Sequence, residues 1–254
     1  MESPASELKQ LQGSFIRYMV SFLGIFITLL VLTTTECRFF DTEFTCLLPG
    51  TPSLASELFQ AAQSFLVPQD VPVVALTPIS VFLAPLSLSF LMALLVTFPY
   101  GVYLLLKFLL PALRVHERKA IYALVLPSLL LFYFGVAFAY FLIIPKTFAV
   151  LYSFAIPLGI TPLFSLNEFL ATTVLITVAT GFSFLLPVGM VLLSRLGLVE
   201  PAFWSNHWRG SILATLIFSA IITPDGSGIT MVFLSLPLIF LYCAGIIFSR
   251  PSVV

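Results

Sequence analysis

The sequence predicts an all-α integral membrane protein with six transmembrane helices and both termini in the cytoplasm. Three observations carry that expectation. The 254 residues are 60% hydrophobic and 9% charged, with a mean hydropathy of +1.13, whereas a soluble domain carries roughly 25% charged residues. The apolar residues gather into six runs, most of them near or above the ~20 residues that cross the hydrocarbon. The cations divide unevenly: Lys9, Arg17, Lys107, Arg114, Arg118, Lys119, Arg195, Arg209 and Arg250 fall on one side, Arg38 and Lys146 on the other. By the positive-inside rule the first side is cytoplasmic, and dropping any span would scramble the asymmetry. No stretch combines length with ordinary polarity, so residues 1–254 read as one membrane domain.

Residues 1–13 form a polar tail in which Ser3 or Ser6 suits a helix cap and Pro4 a first helical position. A short amphipathic helix on the membrane surface, running into the first span, is expected there. Span one covers about 14–32. Lys9 and Arg17 precede its apolar run as in a secretory signal, but Thr33-Thr34-Thr35-Glu36 is a poor cleavage site, so the span is expected to stay. Residues 33–76 hold Glu36, Asp41, Glu43, Glu57 and Asp70 against Arg38 alone, and are placed outside. Within them Pro49-Gly50-Thr51-Pro52 is a turn, and Ser53 to Phe65 has helical periodicity.

Span two runs over about 78–108, with Pro85 and Pro99 expected to bend it. The cytoplasmic loop 107–119 follows. Span three covers about 120–144; its Gly135 and Ala139 are a small-residue pair that admits another helix, and Pro145-Lys146 is expected to end it. Residues 146–166, broken by Pro157, Gly159 and Pro162, are placed in the interface. Span four covers about 167–196 with a kink at Pro187, and a short loop leads on to Trp208. Span five, about 210–222, is long enough only for a partial crossing before the turn at Thr223-Pro224-Asp225-Gly226. Span six covers about 229–248.

The chemistry-bearing residues are few. Cys37 and Cys46 share the outer loop, where an oxidising compartment permits a disulfide; two unpaired thiols near the interface are the equal alternative. Cys243 reads as packing. His116 and His207 lack a serine or cysteine partner, and their ordinary reading is a polar residue at headgroup level. There is no metal-ligand spacing, no glycine-rich phosphate loop and no paired intramembrane aspartate. No metal, no cofactor and no enzymatic activity are therefore expected, nor any nucleic-acid partner. A proton-coupled transporter needs a carboxylate near the midplane; Glu168 and Asp225 lie at span ends instead.

The dense charge of the chain is the stretch 107–119, with Lys107, Arg114, Arg118 and Lys119 around the single carboxylate of Glu117. The plain reading pairs Glu117 with Arg114 or Arg118. The sharper one makes it a docking carboxylate for a basic ligand, with Glu7 on the same side as a second.

Several blocks together suggest a family. They are Phe108-x-x-Pro111-Ala112-Leu113 leading into His116-Glu117-Arg118, the run Leu130-Leu-Phe-Tyr-Phe-Gly135, and Ala137-Phe-Ala-Tyr-Phe141 with Pro145. Further on come Gly181-Phe-Ser-Phe184-x-x-Pro187-Val188, Ile222-Thr-Pro-Asp225, and Leu236-Pro237 with Leu241-Tyr242. In these the chain resembles the TatC family, the large subunit of the twin-arginine protein translocase.

The resemblance implies a concave six-helix bundle with short fifth and sixth spans. It implies a receptor for signal peptides carrying two adjacent arginines, working with TatA- and TatB-type single-span partners on the proton motive force. Homo- and hetero-oligomers in contact with membrane lipids are expected, in a plasma membrane or alternatively an organelle membrane. The family's roles fall on Glu117 and Glu7 as the arginine-binding carboxylates, with Phe108, His116 and Arg118 in the same site. Pro111, Asp225 and Leu185 match positions tied to partner contact or translocation. Leu185 is a departure, because the family often carries Glu or Gln there. The rival readings are a solute transporter and a membrane-protein assembly factor.

Overall fold

In hydrocarbon, backbone N–H and C=O groups find partners only along the same helix, so apolar runs of this length become helices. The computed structural model describes residues 4–39, 42–49, 57, 59–60, 66, 73–109, 115–155, 157, 159, 163–224 and 228–249. The chain divides into two compact units, Met1–Phe108 with Leu163–Val174, and Leu109–Pro162 with Leu175–Val254.

In the first unit, α1 (Pro4–Val31) is one continuous helix, so the expected surface helix and first span are a single element. No residue from 12 to 31 is buried. The hairpin β1 (Leu32–Phe39) and β2 (Thr42–Pro49) stands where only a polar loop was expected; the β-branched run Thr33-Thr34-Thr35 favours extended backbone. Its register sets Cys37 opposite Phe44 and Cys46 opposite Thr35, so the two cysteines are diagonal and not facing. Of the periodic stretch 53–65, only residues 57, 59 and 60 are described. β3 (Val73–Val74) pairs in parallel with β4 (Phe164–Ser165).

The long helix of this unit, α2 (Pro78–Leu109), is opened by Ser80, whose N–H donates to the Thr77 carbonyl at 3.1 Å. It stays helical through Pro85 and Pro99. α1 meets α2 through aromatic side chains: Tyr18 reaches Thr97, and Phe22 stands edge-on to Phe90 with centroids 5.5 Å apart.

In the second unit, α3 (Val115–Phe138) runs through a π-helical turn, Ala139–Ile143, into α4 (Ile144–Ala155). The helix therefore does not end at Pro145. In the widened turn the Ile144 N–H donates to the carbonyl of Ala139, five residues back. That local change of pitch just before Pro145 lets the chain continue past a residue without an N–H.

α5 (Leu166–Ser183) begins in the first unit and ends in the second, where Phe184 and Leu185 form a turn before α6 (Leu186–Arg195). Pro187 sits at the start of α6. Its ring excludes the helical position of the carbonyl four residues earlier, that of Ser183, which is where α5 stops. α6 closes on Gly197, at φ 66°, with Leu198 N–H donating to Leu193 and Gly197 N–H to Ser194. This paired closure is the reason for a glycine there. The expected loop beyond holds a short helix, α7 (Pro201–Asn206), followed by α8 (Trp208–Ile222) and α9 (Ile229–Ser249).

Among the described residues, Gln12–Val31, Pro78–Phe108, Tyr122–Ala155, Leu166–Arg195 and Ile229–Ser249 are long and apolar enough to cross a membrane. The 15 residues of α8 reach only about 22 Å against ~30 Å of hydrocarbon. The shortness expected of the last two spans is thus seen in α8 alone; α9 has 21 residues. α9 packs on α6, α8 and α4. Its Tyr242 hydroxyl donates to the Trp204 carbonyl at 2.7 Å, tying α7 to it.

Candidate functional site

The charged stretch singled out by sequence lies between two helices. Lys107 and Phe108 close α2, while His116, Glu117 and Arg118 fall in the first turn of α3. A carboxylate at the third position of a helix is favoured by the macrodipole, so Glu117 has a local reason to be there besides any ligand. The side chains of His116, Glu117 and Arg118, and that of Glu7 within α1, lie outside the described residues, as do Pro111 and Asp225 altogether.

What the structure brings together is Phe108 with the first helix. A groove of about 660 Å³ runs between α1 and α2, lined by Gln12, Ser14, Phe15 and Tyr18 on one side and Gly101, Leu104, Leu105 and Phe108 on the other. Gln12, Phe15 and Tyr18 recur every three residues, and Gly101, Leu104/Leu105 and Phe108 at three, four and seven, so each helix contributes one stripe. Phe108 is half-buried and Phe15 is 62% exposed.

Tyr18 and Phe22 are large side chains of α1 that meet α2. The Tyr18 hydroxyl is 3.3 Å from Thr97 Oγ1, and Thr97 gives its own proton to the Ala93 carbonyl at 2.7 Å, so Tyr18 is the donor between them. Arg17 turns back to its own helix, its Nε donating to the Gly13 carbonyl at 3.0 Å.

The sequence reading passed over Phe15, Tyr18, Gly101, Leu104 and Leu105. Their three- and four-residue spacing was the available signal, but in a wholly apolar span that periodicity has no polar face to contrast with.

Leu185 sits in the turn between α5 and α6, half-buried, its N–H donating to Phe182 at 3.1 Å and its carbonyl accepting from Gly189 at 2.9 Å. A second groove, about 710 Å³, lies within the other unit and is lined by Phe182, Leu186, Met190, Trp204, Thr215 and Tyr242 among others. Among the described residues no three His, Cys, Asp or Glu side chains gather to hold a metal ion.

Comparison with known proteins shows the family of the chain. Residues 6–237 match the family described as Sec-independent protein translocase protein (TatC). The chain is 35% identical over 198 residues to the Sec-independent protein translocase protein TatC of Cenarchaeum symbiosum (strain A), covering 78% of this chain and 75% of that protein. To the protein of the same name from Escherichia coli (strain K12) it is 31% identical over 184 residues, covering 72% and 70%. In fold it is similar to the crystal structure of the twin arginine translocase receptor TatC in DDM. The TM-score is 0.76 at 24% identity, over 96% of this chain and 99% of that one. This integral membrane protein belongs to the TatC family of Sec-independent protein translocase proteins.

Proposed function

We propose that the chain is the signal-peptide receptor of a twin-arginine translocase in the plasma membrane. It binds peptides in which two adjacent arginines precede an apolar segment, and hands folded cargo to TatA- and TatB-type single-span partners under the proton motive force. The observation that carries this reading is the groove between α1 and α2. It is apolar over most of its length and rimmed by Phe108. The apolar segment of the peptide takes the groove, and Glu7, earlier on α1, takes the basic pair.

Glu117 is the second carboxylate of the reading, with His116 and Arg118 beside it. A single exposed ion pair contributes only ~0.2–1 kcal/mol, too little to select one export signal among basic peptides. Forked arginine–carboxylate contacts are stronger and directional. Lysine keeps the charge and loses the fork, so two such contacts separate Arg-Arg from Lys-Lys. Asp225, Pro111 and Leu185 are assigned to partner contact or the translocation step.

The test is photo-crosslinking from positions 115 and 118 to signal peptides carrying Arg-Arg or Lys-Lys. Crosslinks to Arg-Arg alone, lost in Glu117→Ala, are the expected result. Equal crosslinking of both peptides would make the chain a general binder of apolar segments and defeat the reading. So would substrate flux through liposomes holding this polypeptide alone.

A further inference from the structure

We infer that Tyr18 and Gly101 form the floor of the α1–α2 groove and thereby select the length and side-chain size of the apolar segment that enters it. The inference deepens the receptor reading and rests on it. Tyr18 is held in place from two directions. Its hydroxyl donates to Thr97, which is 1% exposed, and its ring lies on the backbone of Gly101. A β-carbon at Gly101 would stand 3.0 Å from Tyr18 Cε2 and 3.6 Å from both Cδ2 and Cζ. A larger residue at position 101 would push the ring outward by a few tenths of an ångström.

The depth above this floor can be read along either helix. From Gln12 to Tyr18 along α1 is about 9 Å, and from Phe108 to Gly101 along α2 about 10 Å, at 1.5 Å per residue. The agreement defines a slot for about two helical turns, or roughly seven residues. Its walls are Phe15, Leu104, Leu105 and Phe108, with the polar Gln12 at the mouth. A helical segment anchored by its arginines at Glu7, beyond the mouth, meets the Tyr18 ring about eleven residues later. A small side chain fits at that point and a bulky one collides.

The experiment titrates labelled synthetic peptides against the full chain in detergent or nanodiscs. Each peptide carries Arg-Arg and an apolar segment with either Ala or Phe about eleven residues after the pair. The Ala peptide is expected to bind about tenfold more tightly than the Phe peptide, a usual discrimination for an apolar pocket. Tyr18→Ala is expected to bring the ratio close to one. Gly101→Ala, which lifts the ring, should widen it and serves if Tyr18→Ala does not fold. Tyr18→Phe keeps the ring and should keep the ratio.

An unchanged ratio in Tyr18→Ala, with Arg-Arg still preferred over Lys-Lys, would overturn the floor and leave the receptor reading standing. No Arg-Arg preference in the unaltered protein would overturn both. Loss of peptide labelling from Phe15 and Leu105 positions on adding anionic phospholipid vesicles would make the groove a lipid seat, and would also overturn the inference.

Discussion

The ring of Phe184 lies over the backbone at Gly135, so close that a β-carbon there would stand 2.8 Å from its Cγ and 2.9 Å from its Cβ. The relation is reciprocal. A β-carbon on Gly181 would stand 3.0 Å from Phe132 Cε2 and 3.0 Å from Val136 Cγ2. Thus α3 offers a glycine to the phenylalanine after α5, and α5 offers one to the phenylalanine of α3. Phe132 and Phe184 are 0% and 1% exposed. Between helices in a lipid environment, where apolar burial gives little net drive, this close fit is the main source of association.

Gly135→Ala is therefore expected to destabilise the protein by about 1–3 kcal/mol, the usual range for overfilling a packed site. Thermal unfolding in detergent measures it. Phe184→Leu introduced into Gly135→Ala should recover part of the loss, because the two residues share one space and do not act additively. An unshifted midpoint in Gly135→Ala would show that the helices do not lock here.

Gly245 is the corresponding point on α9. A β-carbon there would stand 2.5 Å from Met190 Sδ and 3.2 Å from the Cα of Pro187. The methionine end can swing aside, being flexible, but the proline backbone cannot. Gly245→Ala should be mild and Gly245→Val clearly worse, by about 1–3 kcal/mol. Equal midpoints for the two variants would contradict this packing.

Tyr242→Phe removes the 2.7 Å hydrogen bond to the Trp204 carbonyl, at a cost of about 1 kcal/mol. Trp204 is itself fixed by its Nε1–H donating to Ser194 Oγ at 3.0 Å. In a Trp208→Phe background, leaving Trp204 as the one tryptophan of the two, the emission should broaden and shift when Tyr242 loses its hydroxyl. An identical spectrum would mean that Tyr242 does not hold α7.

Thr180 makes an opposite forecast. Its hydroxyl is buried, with no hydrogen-bond partner among the described residues. Replacing an unsatisfied polar group by an apolar one of the same shape is neutral or favourable. Thr180→Val should leave the unfolding midpoint unchanged or raise it by the equivalent of about 1 kcal/mol. A lowered midpoint would show that the hydroxyl has a partner after all.

Much of this architecture was legible in the chain because lipid restricts the choices to helices, and Pro187 announced the break between α5 and α6. Pro145 misled for the same physical reason: a proline normally ends a helix, and only the preceding π turn reveals that this one does not. The hairpin at 32–49 was masked by charge, since acidic residues in a loop say nothing of backbone pairing. At the site, Phe108 stood out through its motif. Tyr18 and Gly101 did not, because one aromatic and one glycine in an apolar span are unremarkable until the facing helix is known.

Phe108 separates the two parts of the proposed recognition. It rims the groove and is half-buried, so Phe108→Ala removes apolar contact worth about 1–2 kcal/mol, or about tenfold in peptide affinity. It carries no charge, so the preference for Arg-Arg over Lys-Lys should stay as it was. Glu117→Gln should do the reverse, narrowing that preference more than it weakens the apolar contact. Titrating both variants with the same pair of peptides distinguishes the contributions. Full affinity in Phe108→Ala would place the apolar segment outside the α1–α2 groove, whatever Glu117 does.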